Sequence, residues 1–157
     1  MPRKRLEPRV NYTVVVVALG VIVIDAVTKA WARHTLVTHA VRLFGGVWLR
    51  LQFNSGISFS INQSGPLVTS IITAAIALVV VVVGVRANAG APAVGFGFLL
   101  GGGVANLVDR LVSTPHRVTD FISVGAFPVF NLADVSITAG FIVLFVAAMR
   151  GDRLLKR

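Results

Sequence analysis

Three of the chain's six acidic residues lie in a single stretch, from Gly101 to Asp134, that is otherwise rich in apolar residues and glycine. They are Asp109, Asp120 and Asp134. A carboxylate at membrane depth is costly unless it has a partner or a use, so an ionisable residue there is a candidate site residue. Carboxylates can donate and accept protons. The stretch therefore indicates acid–base chemistry at one face of a lipid bilayer.

The composition is that of an integral membrane protein. Hydrophobic residues make up 55% of the chain and charged residues 13%, whereas an ordinary soluble domain has about 25% charged residues. The mean hydropathy is +0.84. There is no cysteine, which excludes disulfides, thiolate metal sites and a cysteine nucleophile. We assign the net charge of +9 to basic residues beside anionic lipid, and we expect no nucleic-acid partner.

Four apolar stretches predict transmembrane helices over residues 12–32, 66–85, 93–111 and 131–149, joined in one polytopic domain. The third stretch carries several glycines, which predict close contact between helices. The first stretch ends in Ala30-Trp31-Ala32 and resembles a cleavable secretory signal. Because Asp25 and Lys29 interrupt it and further spans follow, we expect it to be retained.

The two longer loops, residues 33–65 and 112–130, contain strand-like patterns. Apolar and polar residues alternate from Val47 to Asn54 and again from Ile57 to Asn62, which is typical of strands with one apolar face. The segment Arg117 to Ile122 is also strand-like. The predicted fold class is therefore an all-α membrane protein of four transmembrane helices with a small extracytoplasmic β-sheet.

Lysine and arginine residues predict the orientation. Nine lie in the two tails and the turn at Arg86, and five lie in the two longer loops or, for Arg110, at the loop-side end of the third span. The excess of basic residues marks the cytoplasmic side, so both termini are expected there. This topology brings four carboxylates to the outer membrane boundary: Asp25, Asp109, Asp120 and Asp134.

Several of these polar residues also have structural interpretations. Asp25 and Lys29 are four apart on one helix face and predict an ion pair that ties the bundle together. Asn106 and Asp109 share a face of the third helix. A carboxylate near a helix C-terminus faces the unfavourable end of the helix dipole, so Asp109 requires a cation such as Arg110. We interpret Asp109 as a structural or substrate-gating residue.

Asp134 could act as the third residue of a helix capped by Asn131, in a variant of the capping box. That role does not account for Asp120, which could instead be part of the polar face of an edge strand. Serine-protease chemistry is not indicated, because the predicted spans contain no histidine. The three histidines lie in loops without the spacing of metal ligands: His34, His39 and His116.

A small four-helix, proton-coupled transporter is the alternative function. A transporter of this kind would place its essential acid near the bilayer midplane, whereas the acids here gather at one boundary. Long loops with strand character would also have no role in it. A non-enzymatic assembly factor is a weaker alternative.

Five motifs in sequence order resemble those of the bacterial lipoprotein signal peptidase (signal peptidase II) family of aspartic peptidases. They are Asp25-x-x-Thr28-Lys29, Asn54-x-Gly56-x-x-Phe59, Gly102-x-x-Ala105-Asn106-x-x-Asp109-Arg110, Val118-x-Asp120-Phe121-Ile122 and Phe130-Asn131-x-Ala133-Asp134. Two positions depart from the family pattern, because Ser58 replaces an alanine and Ala105 replaces a glycine. Both replacements are small residues, so only fine packing is affected.

The resemblance implies that Asp120 and Asp134 are the catalytic pair, sharing one proton and activating water without a metal or cofactor. It further implies a set of residues that bind substrate or orient the pair: Asn54, Gly56, Asn106, Asp109, Arg110 and Asn131. The implied substrate is a prolipoprotein with a diacylglyceryl-modified cysteine, cut just before that cysteine. We expect a monomer in the bacterial inner membrane, in contact with membrane lipid, with its active site at the outer face.

Overall fold

The computed structural model describes residues 11–54, 66–113 and 116–156. Its helices are α1 (Tyr12–Thr35), α2 (Pro66–Gly84), α3 (Ala91–Val112) and α4 (Leu132–Met149). Its strands are β1 (Val41–Phe44), β2 (Val47–Asn54) and β3 (Val118–Val124). The predicted combination of apolar helices with a small sheet is confirmed, and the sheet is antiparallel.

The helices are built for a lipid environment. Helices α1, α3 and α4 are long and apolar enough to cross a membrane, and the apolar stretch of α2 among the described side chains is the shorter Ser70–Gly84. Large apolar side chains cover the outside of the bundle; Leu78 and Phe141, for example, are each 63% exposed. An apolar surface of this extent is not expected of a soluble monomer. The chain is therefore a multi-pass membrane protein.

Helix α3 is the centre of the bundle and packs against the other three helices. Glycine makes its closest contacts possible: a Cβ on Gly101 would lie 2.7 Å from Val21 Cβ, and one on Gly102 would lie 2.5 Å from the backbone oxygen of Ala133. The predicted use of glycine for close contact is thus confirmed. Gly103 has open space around its Cβ position and makes no such contact.

The sheet has the order β1-β2-β3 and both pairs are antiparallel. The sequence suggested a sheet formed by residues 47–54 and 57–62. The second of these segments lies outside the described residues, and the described partners of β2 are β1 and β3 instead. Strand β3 comes from the other long loop, and its register places Asp120 opposite Gln52. Buried Ala32, Leu36 and Phe121 attach the sheet to the C-terminal end of α1.

The opposite end of the bundle is closed by backbone contacts between distant segments. In the turn between α2 and α3, the backbone N–H of Asn88 donates to Leu154 O at 3.0 Å. The backbone oxygen of Arg86 accepts from Lys156 N at 2.7 Å. The side chain of Asn11, which caps α1, donates to Ala87 O at 3.2 Å. The start of α1, the α2–α3 turn and the C-terminal tail therefore meet at one end, away from the sheet.

Candidate active site

Asp120 and Asp134 are positioned by two different elements. Asp120 lies in β3 and is 1% exposed. Asp134 lies in the first turn of α4, where Asn131 is the N-cap. Asn131 Oδ1 accepts from Asp134 N at 3.0 Å, and Asp134 Oδ2 accepts from Asn131 N at 3.2 Å. This reciprocal capping box fixes the Asp134 carboxylate with the same contacts that start the helix.

Two asparagines, Asn106 and Asn131, connect the two carboxylates; we call them the asparagine bridge. Asn131 Nδ2 donates to Asp120 Oδ1 at 2.6 Å and to Asn106 Oδ1 at 3.1 Å. Asn106 Nδ2 then donates to Asp134 Oδ1 at 2.9 Å. From the end of β2, Asn54 Nδ2 donates to Asp120 Oδ2 at 3.0 Å. The sheet, α3 and α4 therefore each contribute to one continuous hydrogen-bonded network.

A buried ion pair lies beneath this network. Lys29 Nζ is 2.7 Å from Asp25 Oδ2, and both side chains are 1% exposed. Lys29 Nζ also donates to Asn106 Oδ1 at 2.7 Å. The other oxygen of Asp25 accepts from the backbone N–H of Ala133 at 2.9 Å. The pair from α1 thus contacts both the asparagine bridge and the first turn of α4.

The sequence prediction named Arg110 as a cation for Asp109, and the two charges do interact, but Asp109 also has cation partners on α1. In the described contacts, Asp109 Oδ1 pairs with Arg33 Nη1 at 2.7 Å, and Asp109 Oδ2 lies 3.7 Å from Lys29 Nζ. Asp109 Oδ2 also accepts from Thr119 N at 2.7 Å. Sequence reasoning missed Arg33 and Thr119. The signal for Arg33 was available, because it lies four residues after Lys29 and continues the same helix face.

Two predicted site residues remain, Arg110 and Gly56. Arg110 is buried, with 4% of its surface exposed, and lies one residue after Asp109 on α3. Gly56 lies outside the described residues. In the described ranges, no three His, Asp or Glu side chains come together as metal ligands.

The environment of Asp120 changes its acidity. Burial raises the pKa of Asp120 to about 7, and the negative charge of Asp134 adds to the increase. Hydrogen bonds from Asn54 and Asn131 and the charge of Lys29 oppose it. Near neutral pH, Asp120 is therefore divided between its protonated and ionised forms, which is suitable for a group that donates a proton.

This raised pKa predicts a pH-dependent stability. An unfolded aspartate ionises near pH 4, so between about pH 4 and pH 7 the folded chain holds a proton that the unfolded chain has lost. Stability from this group is therefore present at low pH and is lost as the pH rises through about 7. Between pH 5 and pH 8, we expect the Tm of the wild type in detergent to fall by several degrees more than that of Asp120→Asn. Parallel Tm curves for the two proteins would contradict the raised pKa.

Two largely apolar cavities extend along the helices to this network. One, of about 350 Å³, is lined by Asp134 and the apolar side chains around it, including Phe127, Phe130 and Ile142. The other, of about 220 Å³, lies between α2, α3 and α4 and reaches Asn106 and Arg110. Both lead from the apolar surface of the bundle to polar groups of the site. An apolar ligand could therefore approach the carboxylates from the bilayer.

The fold and this site define a class of protein: a multi-pass membrane protein with two linked carboxylates at one end of its helical bundle. Residues 17–150 match the sequence family described as signal peptidase (SPase) II. This match covers most of the chain, and the chain therefore belongs to the signal peptidase II family.

Relatives and solved structures agree with this family. The lipoprotein signal peptidase of Mycobacterium leprae (strain Br4923) is 35% identical over 152 residues, which are 93% of this chain and 76% of that protein. The lipoprotein signal peptidase of Mycobacterium tuberculosis (strain ATCC 25618 / H37Rv) is 35% identical over 156 residues, 96% of this chain and 77% of that protein.

A bacterial membrane enzyme solved by the in meso method at 2.3 Å superposes with a TM-score of 0.78 at 26% identity, covering 88% of both chains. A second such enzyme, at 1.9 Å, gives a TM-score of 0.74 at 27% identity, covering 87% of this chain and 92% of the other. The expectation of a signal peptidase II protease that removes signal peptides from prolipoproteins is confirmed. The transporter alternative is not supported.

Proposed function

We propose that the chain is an aspartic endopeptidase in which Asp120 and Asp134 carry out the hydrolysis of the prolipoprotein signal peptide. The observation that carries this proposal is the asparagine bridge, which connects two carboxylates from separate elements through amide donors. A purely structural carboxylate in a capping box needs no second acid at the other end of such a network.

The environments of the two carboxylates suggest separate starting roles. Asp134 accepts hydrogen bonds from Asn106 and from the backbone of Asn131, and it lies at a helix N-terminus, where a negative charge is favoured. Asp120 has its pKa raised to about 7 by burial and by Asp134. Asp134 is therefore the base and Asp120 the acid at the start of the reaction.

In the first step, the Asp134 carboxylate takes a proton from a water molecule as the water oxygen bonds to the scissile carbonyl carbon. Asp120 donates its proton to the carbonyl oxygen, which gives a neutral tetrahedral diol. In the second step, the C–N bond breaks, the amine nitrogen receives the proton held by Asp134, and Asp120 regains a proton from the diol. Both carboxylates end in their original states, and the pair titrates as one unit.

The other predicted residues support the pair or the substrate. Asn54, Asn106 and Asn131 orient the carboxylates by donating to them. Asp25 and Lys29 hold the helices in register beneath the site. By the family resemblance, Arg110, at the end of the second cavity, binds the substrate or orients the pair, as do Asp109 and Gly56.

The proposed placement follows from the ends of the bundle. The helices α1 to α4 are the four transmembrane spans of one domain, and α2, of 19 residues, is long enough for a bilayer core of about 30 Å. The basic tails and Arg86 lie at the cytoplasmic end, and the sheet and both carboxylates lie at the outer face of the inner membrane. The protein acts as a monomer, without metal or cofactor.

The substrate's cysteine carries a diacylglyceryl group, and the peptide bond just before that cysteine is cut. The cavity of about 350 Å³ beside Asp134 favours this substrate, because its lining is mostly apolar and its position lets acyl chains remain near the lipid.

We expect the purified protein to cleave a diacylglyceryl-modified model precursor with a kcat/KM about 100-fold higher than its kcat/KM for the same peptide without the lipid. Such a ratio corresponds to about 2.7 kcal/mol, and it is expected because the acyl chains hold the modified precursor beside the apolar cavity. A peptide with a secondary alcohol in place of the scissile carbonyl should inhibit competitively, because it resembles the tetrahedral intermediate. Mass spectrometry of the products locates the cut. Equal rates on both peptides would overturn the lipid requirement.

A further inference from the structure

Lys29 lies one side chain away from the proposed catalytic pair. Its Nζ donates to Asn106 Oδ1 at 2.7 Å, and Asn106 Nδ2 donates to Asp134 Oδ1 at 2.9 Å. Because its side chain is 1% exposed, water does little to screen its charge. A cation in this position affects the site more than a surface ion pair would.

The contact with Lys29 determines which way the Asn106 amide faces. An ammonium group has hydrogen-bond donors and no acceptor, so it requires the amide oxygen. Asn131 Nδ2 donates to the same oxygen at 3.1 Å. With its oxygen held by two donors, Asn106 presents its NH₂ group to Asp134. An NH₂ group that donates to a carboxylate favours the ionised form of that carboxylate.

Asp25 limits the effect of Lys29. Its Oδ2 contacts Lys29 at 2.7 Å, and its Oδ1 accepts from the backbone N–H of Ala133, one residue before Asp134. Asp25 therefore adds negative charge beside the same helix start that holds Asp134. The two members of this ion pair act on the ionised state of the site with opposite signs.

We propose that Lys29 is a positioning residue that acts through Asn106 to keep one carboxylate of the pair ionised, and that Asp25 opposes its charge. This inference rests on the proposed function of Asp120 and Asp134. It assigns to the ion pair a role in setting the pH range of catalysis, in addition to holding the helices together.

In the described part of the chain, five other charged side chains surround Lys29, and none of them is changed when Lys29 or Asp25 is substituted. They are Arg33 on α1, Asp109 and Arg110 on α3, Asp120 on β3 and Asp134 on α4. Arg33 is directed to Asp109 and Thr119 and is 36% exposed, so water screens its charge more than that of Lys29. A change in pH dependence after substitution of Lys29 or Asp25 can thus be attributed to the substituted residue.

The test is the pH profile of kcat/KM on a lipidated model precursor, which reports ionisations of the free enzyme. Lys29→Met removes the cation that favours the ionised carboxylate, so the acid limb is expected to move to higher pH by about one unit. Asp25→Asn removes the opposing charge, and its amide oxygen can still accept from Ala133 N. Its acid limb should move to lower pH.

Arg86→Met is the matched control for the loss of one positive charge. Arg86 is exposed in the α2–α3 turn, at the end of the bundle away from the sheet. The pH profile of the Arg86→Met variant should therefore match that of the wild type. Lys29→Arg keeps the charge and should keep the position of the acid limb even if the maximum rate falls. Thermal unfolding in detergent shows which variants are folded.

A purely structural role for Lys29 and Asp25 predicts that Lys29→Met and Asp25→Asn each lose activity by a factor that does not depend on pH. That result, or displacement of both acid limbs in the same direction, would overturn the inference. If Lys29→Met does not fold, the inference still predicts an unmoved acid limb for Lys29→Arg and an acid limb at lower pH for Asp25→Asn; any other pair of results would overturn it. Full activity of Asp134→Asn would instead refute the proposed function, so the two failures are distinguishable.

Discussion

Replacing Asp134 with asparagine is expected to reduce kcat/KM on a lipidated precursor by about 10³-fold or more, and replacing Asp120 should have a similar effect. General acid and general base catalysis each contribute about 10²- to 10⁴-fold. Each substitution removes the proton exchange that the pair requires. In membranes that carry either variant, the uncut lipid-modified precursor should accumulate. Purified variants that process the precursor at wild-type rates would refute the assignment of the pair.

These substitutions preserve the local structure well enough for the test to be specific. An asparagine oxygen at position 120 can still accept from Asn54 or Asn131, and one at position 134 can still accept from the N-cap backbone. Asp152→Asn is the matched control, because Asp152 is exposed in the C-terminal tail, beyond α4. All three variants should insert normally, whereas precursor cleavage should be lost only in the two site variants.

Gly102→Ala is expected to have the second largest effect. The added methyl group would lie 2.5 Å from Ala133 O and 2.7 Å from Ile137 Cγ1. Since the first of these atoms belongs to backbone, the start of α4 must move away from α3. Overpacking of this kind costs about 1 to 3 kcal/mol, and it stretches the 2.9 Å bond between Asn106 and Asp134. We expect a lower Tm together with at least about a 10²-fold loss of activity.

Gly103→Ala is the matched control, one residue along the same helix. Nothing lies within 4 Å of a Cβ added there, and alanine favours a helix over glycine by about 1 kcal/mol. The Gly103→Ala protein should therefore be as stable as the wild type or more so. Similar Tm values for the two variants would contradict the close approach of α3 and α4 at Gly102.

Local sequence patterns predicted much of this fold. The four apolar stretches agree with the bounds of the four helices to within three residues at each end. Alternation identified Val47–Asn54 as a strand, and the Asn131–Asp134 spacing predicted the capping box that starts α4. These features depend on residues that are near one another in the chain.

Long-range pairing could not be predicted in the same way. Strand β2 pairs with β3, which lies in the other long loop, because the Ala32–Leu36–Phe121 cluster holds β3 beside β2. Asp109 pairs with Arg33, 76 residues earlier, in addition to the charge of its neighbour Arg110. A side chain on α1 can be matched to one on α3 only when the helix rotation and depth are known. Such information is absent from one sequence.

The contact between Asp25 and the backbone of Ala133 joins positions 108 apart, and it has a consequence for biosynthesis. Helix α1 leaves the ribosome before α4 and supplies the acceptor for an N–H group in α4. An N–H group without a partner is costly at membrane depth, so α4 reaches its lowest free energy only after α1 has been inserted. Two half-chains divided in the α2–α3 turn would have to reassemble side by side to recover this bond.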